Sequence, residues 1–301
     1  MRLSCDRVSL VLKLAVGLAV ALSVADVAAQ WPLREDAGVP RDAKGNVRMD
    51  APTPRTADKR PDFSGVWMRA ESGPPPKEGR GGGGGIDIPV ERFPYDPNGP
   101  PVATFFEAGG NMTGGLPYTP WAAELRKKRL AANARDNPDA MCLPMGFLQF
   151  HQQPQPRMIV QTPKMVLIEY EANSGIRHIY LDGRTLPRQG DPQPWWYGYS
   201  VGRWEGDTLV VEPNNLRGAE DGPHDGWLDV NGSPHSRDAR MIERIRRPTF
   251  GHLQIDFTIE DPKSYTKAWT VRVDQRILPG HELIEAICNE NQQFRQRIKI
   301  D

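Results

Sequence analysis

The chain's most suggestive chemistry lies between residues 213 and 238, the longest insertion between strand-like runs, where His224 and His235 stand among Asp221, Asp225 and Asp229. An imidazole beside a carboxylate is the commonest general acid–base arrangement, because histidine alone changes charge near neutral pH without a large shift. In that reading His235 moves the proton, Asp225 orients the ring, and Arg177 stabilises developing negative charge, so these three are the candidate catalytic residues. The competing reading is a loop held by its own polar side chains. The histidines show no His-x-His or His-Glu-x-x-His spacing, so no metal ligands are assigned and no cofactor is expected.

Gly198-Tyr199-Ser200-Val201-Gly202 has the form of a nucleophile elbow, which works by turning a strand sharply into a helix and exposing the serine hydroxyl. Here the following residues, Arg203 to Thr208, read as strand, turn, strand, with Gly206 supplying the hairpin's positive φ. The glycines then relieve crowding in a strand, and Ser200 is not assigned as a nucleophile. Tryptophans cluster near this point. Trp195, Trp196 and Trp227, with Tyr199, could form the flat walls of a small-molecule site, with Arg177, Glu243 and His235 as its orienting polar groups.

The elements that must position these groups are mostly strands. From residue 157 the hydrophobic period is two, in nine runs: 158–161, 165–171, 176–182, 199–204, 208–212, 240–246, 252–260, 268–277 and 282–288. A tenth precedes them at 63–69. Short turn-rich spacers imply antiparallel neighbours, since parallel crossovers need a dozen or more residues. The expected class is mainly β: an antiparallel meander of about ten strands forming a barrel or tight sandwich, calycin-like. One helix is expected over 119–136, capped by Thr119, started by Pro120 and stopped at Asn137-Pro138. Its apolar stripe would be Trp121, Leu125 and Leu130, with Arg126 to Arg129 as a solvated face. Arg177, Glu243 and Gln275 fall on otherwise apolar strand faces, so each must pair internally or meet a ligand.

The 301 residues carry 38 Lys and Arg against 38 Asp and Glu, which argues against nucleic acid as the main partner. Residues 1–29 have the three parts of a secretory signal peptide: Arg2, Arg7 and Lys13, then an apolar run from Leu14 to Ala25, then Val27-Ala28-Ala29 before Gln30. The apolar run is too short to span a bilayer, and no later segment is long and apolar enough. A mature chain from about Gln30, periplasmic or secreted, retains Cys142 and Cys288, an even pair that reads as a disulfide. Residues 30–60 read as an extended arm, and 61–301 as a single β domain with a Pro/Gly-rich excursion at 70–118.

The stretch GYSVGRWEGDTLVVE (198–212), with IRHIYLDGR (176–184), SPHSRDARMIERIRR (233–247), IEDPKSYTKAWTV (259–271) and ICNEN (287–291), resembles a large group of secreted bacterial proteins sharing this motif order. The resemblance covers nearly all of residues 61–301. It implies an exported, mostly β domain and assigns no catalytic residues. Taken together, the leading expectation is an extracytoplasmic β-barrel that holds a small organic molecule in its cavity. The alternatives are a cofactor-free lyase, isomerase or hydrolase using His235 in the same cavity, and a non-catalytic envelope partner.

Overall fold

The computed structural model describes residues 34, 36–70, 72, 93–190 and 194–288. The signal-peptide segment 1–29 and the glycine tract 81–85 lie outside the described residues. Nine strands close into one barrel: β1 (Gly65–Arg69), β2 (Arg157–Thr162), β3 (Met165–Tyr170), β4 (Gly175–Tyr180), β5 (Tyr199–Glu205), β6 (Thr208–Asn214), β7 (Arg240–Thr249), β8 (His252–Glu260) and β9 (Trp269–Ile277). Strands adjacent in sequence are adjacent in the sheet, and β9 returns to pair with β1 through Trp67↔Ile277 and its neighbours. One of the ten expected runs, 282–288, is not a strand. β9 is already paired with β8 on one side and with β1 and residues 101–103 on the other, so the barrel offers this run no free edge.

The meander departs from the antiparallel expectation at one joint. β4 and β5 run parallel, paired only at Ile179↔Ser200 and Tyr180↔Val201. The chain between them, residues 181–198, is long enough to carry the return that a parallel pair requires. Two asparagines at the end of β6 hold this crossover. Asn214 Nδ2 donates to Pro187 O at 2.6 Å, and Asn215 Nδ2 donates to Arg188 O at 3.1 Å.

Side-chain alternation fills the barrel. Leu253, Ile255, Phe257 and Ile259 of β8 are all buried, as are Met241 and Ile245 of β7 and Val271 and Val273 of β9. A short helix, Phe147–Gln152, plugs one end with Leu148, Gln149, Phe150, His151 and Gln152 all buried. Arg157 at the start of β2 fixes it. Its guanidinium donates to the carbonyls of His151, Gln153 and Gln155 at 3.0, 3.0 and 3.1 Å, satisfying acceptors that a helix end leaves open.

The one longer helix among the described residues, α1, spans Pro120–Ala131 with Thr119 as its cap; the plug is therefore α2. α1 ends five residues before the expected 136, as Asn133 and Ala134 take positive φ. Its buried residues are Ala122 and Arg129, whereas Trp121 and Leu130 are exposed. The cationic run is thus not wholly a solvated face. Residues 36–60 form tight turns that lie on the barrel: Phe250 N donates to Ala51 O at 2.7 Å, and Thr53 Oγ1 donates to Arg247 O at 2.5 Å. Residues 101–103 pair with the edge of β9, exchanging backbone hydrogen bonds with Arg272.

Cys142 and Cys288 form a disulfide across a sequence separation of 146 residues. Closing so long a loop restricts the unfolded chain, and the loop-entropy model puts the stabilisation at about 4–5 kcal/mol. Urea unfolding with and without reductant should show a loss of that order, reproduced by Cys142→Ser/Cys288→Ser. Equal stability of the oxidised and reduced forms would show that the tether constrains little.

Candidate functional site

The polar side chains on the apolar strand faces meet inside the barrel. Arg177 of β4 faces Glu243 of β7 in a two-pronged pair, Nη1 donating to Oε2 at 3.0 Å and Nη2 standing 2.8 Å from Oε1. Arg177 also donates from Nε and Nη2 to Ser200 Oγ of β5, at 3.3 and 3.1 Å. His151 of α2 places Nε2 at 3.4 Å from Glu243, and its other ring nitrogen lies 3.5 Å from Gln275 Nε2 of β9. All five residues are buried. Burial alone would raise the Glu243 carboxyl, but Arg177 and His151 outweigh it and hold it down at about 2. Burial pushes the His151 imidazole below its ordinary value despite the pull of Glu243. Burial likewise pushes the Tyr170 hydroxyl, beside this cluster, up to about 12.

The candidate acid–base residues stand in different surroundings. His235 is 3% exposed, with Nδ1 at 3.1 Å from the Ser236 carbonyl oxygen, and burial lowers its pKa. Asp225 faces Arg217, with Oδ1 at 3.5 Å from Nε, and burial raises its carboxyl against the pull of that arginine. Arg177 is in the barrel interior. Its guanidinium is bonded there to Glu243 and Ser200. His224 places Nδ1 at 2.8 Å from the Asp136 carbonyl oxygen. Among the described residues no three His, Cys, Asp or Glu side chains are grouped to hold a metal ion.

The tryptophans divide as well. Trp227 is 1% exposed, and its ring lies under the Arg129 guanidinium at 4.1 Å. Arg129 also donates to the carbonyls of Asp225, Gly226 and Gly232, so α1 clamps the 213–238 loop. Trp195, Trp196 and Tyr199 instead line a surface groove of about 490 Å³ over the parallel β4–β5 joint. The groove is completed by Ile176, His178 and Tyr180 from the outer face of β4, by Pro194, Tyr197, Gly198 and Ser200, and by Arg217. Sequence reasoning did not select His178, Tyr180, Tyr197 or Arg217 for a site. The signal for the β4 pair was available, because placing Arg177 inward turns Ile176, His178 and Tyr180 outward.

Local geometry sets these walls. Trp195 N donates to Asn215 O at 2.8 Å and Arg217 N donates to Trp195 O at 3.2 Å, so the tryptophan and the arginine sit side by side on a short ladder. Gly198 has φ +58°, and a Cβ there would come within 2.4 Å of Asn214 O. Ser200 lies in strand β5, with no strand-to-helix turn beside it. A second groove, of about 350 Å³, lies beside Trp204, Thr56, Asp58 and Gln161. No protein-family model matches the chain, and a search of curated proteins finds no match.

The ionic cluster sets a pH dependence. Glu243 titrates near 4.3 in an unfolded chain and at about 2 in the fold. Its stabilisation is complete above the unfolded value and is lost as pH falls from about 5 through 2. Glu243→Gln should cost about 3–5 kcal/mol near neutral pH by leaving Arg177 buried without its countercharge, and should flatten the acid limb of the stability profile. Replacing both partners with apolar residues should restore much of the loss. Denaturant titrations from neutral to about pH 3 check this, and an unchanged acid limb in Glu243→Gln would show that the depressed carboxyl lies elsewhere.

Proposed function

We propose that this β-barrel domain works outside the cytoplasm and binds a small organic molecule in the groove over the β4–β5 joint. The carrying observation is the groove itself: indole and phenol rings from two strands and a crossover around about 490 Å³, within the range of small-molecule sites. Trp195 is 47% exposed there, and a large apolar ring held open to water by backbone hydrogen bonds is a ready contact surface. The barrel interior, by contrast, is occupied by its own side chains at the level of Arg177 and Glu243. The disulfide fits an oxidising compartment. Among the described residues no helix is long and apolar enough to cross a membrane.

Mass spectrometry of gently extracted protein should identify a bound small molecule. Trp195→Ala and Tyr199→Ala should each weaken its rebinding about tenfold, because each removes a stacking surface, and neither should unfold the protein. Unchanged affinity in both variants, or retention of the molecule only while His235 is intact, would move the site to the 213–238 loop.

A further inference from the structure

Two guanidinium groups stand at the groove, and they differ in what they have left to offer. Arg184 lies over the Tyr180 ring at 3.8 Å, grips both carboxylate oxygens of Asp182 and donates to Tyr199 OH at 2.9 Å. It is fully engaged in holding the wall. Arg217 lies over the Trp196 ring at 4.6 Å and faces Asp225 with Nε at 3.5 Å. Among the described residues its two terminal nitrogens carry no hydrogen bond. No Asp or Glu is among the described residues lining the groove.

We infer that the groove recognises a planar organic carboxylate, with the outer fork of Arg217 gripping the acid group and Trp195 and Tyr199 covering the flat body. This deepens the proposed function and rests on the groove being the binding site. The physical case is one of geometry. A guanidinium presents parallel N–H donors that match the two oxygens of a carboxylate, and charge-assisted pairs of this kind are about twice as strong as neutral hydrogen bonds. Stacking on Trp196 fixes the plane of the fork before any ligand arrives, so little side-chain freedom remains to be lost on binding. Asp225 meets the group at Nε, and among the described residues the two terminal nitrogens carry no hydrogen bond. The apolar rings lower the local dielectric, which strengthens the attraction for an anion. A neutral amide of the same shape would keep the stacking and lose the ionic pairing.

The test uses two probes, naphthalene-2-carboxylate and naphthalene-2-carboxamide, titrated into the full mature protein and into Arg217→Gln and Trp195→Ala. Tryptophan quenching and calorimetry report binding, and circular dichroism checks the fold. The wild type should bind the carboxylate at least about tenfold more tightly than the amide. Arg217→Gln should erase that preference while leaving amide binding unchanged, and Trp195→Ala should weaken both probes. If both probes bind the wild type and Arg217→Gln alike and only Trp195→Ala weakens them, the carboxylate inference falls and the groove stands. If neither probe binds, or if Trp195→Ala binds both as the wild type does, the groove reading falls with it.

Discussion

The interior of this barrel is organised around one buried charge pair. A closed sheet has no edge to absorb an error, so any polar side chain turned inward must find its partner within the barrel. Arg177 and Glu243 do this across the interior, from β4 to β7, and Ser200 on β5 and His151 on the plug helix complete the contacts. An unpaired charge in that position would cost several kcal/mol, comparable with a large part of a domain's net stability. A slip of one residue in β4 would turn Arg177 outward and strand Glu243. The pair therefore ties the inward faces of β4 and β7 together across the barrel, and through His151 it meets α2. Arg157 secures the same helix from the other side, through the carbonyls at its end.

The outer groove follows from that inner constraint. β4 and β5 share only two register pairs, so their seam owes its closure to the Arg177–Ser200 hydrogen bonds beneath it as well as to the backbone. With Arg177 directed inward, alternation leaves Ile176, His178 and Tyr180 directed outward beside Tyr199. The parallel joint demands a long crossover, and that crossover delivers Trp195 and Trp196 to the same place. The groove is what remains when a barrel closes through a short parallel seam and the return chain passes alongside it.

The 213–238 loop has a different character. Arg129 binds three of its backbone carbonyls and stacks on Trp227. Asp229 accepts from Ala108 N at 2.8 Å and from Ser233 N at 2.9 Å, and Ser236 Oγ donates to Asp261 at 2.8 Å. These buried polar groups are satisfied mainly by backbone and by one another, which gives the loop a second core with Leu228, Met241, Phe257 and Trp269. Its density of His, Asp and Trp, so suggestive in sequence, corresponds to a dense packing of loop against helix.

Local periodicity made most of the architecture legible. Alternation located nine strands, the inward positions of Arg177, Glu243 and Gln275, and the strand setting of Ser200, because each depends only on a side chain's parity within its own run. The capping chemistry of Thr119 and Pro120 located the start of α1, and the even cysteine count indicated the disulfide. Alternation cannot say which strands become neighbours across a closure. The parallel sense of β4 and β5, the lack of an edge for residues 282–288 and the insertion of Phe147–Gln152 into the barrel were all decided by where the sheet closed. The same holds for Arg217. Its sequence neighbourhood reads as loop, and only the fold sets it against Trp196 with its outer donors open. The sequence by itself determined which faces each element would show. The tertiary structure alone decided which faces would meet, because contacts across the barrel join residues far apart in the chain, and no local pattern records that distance.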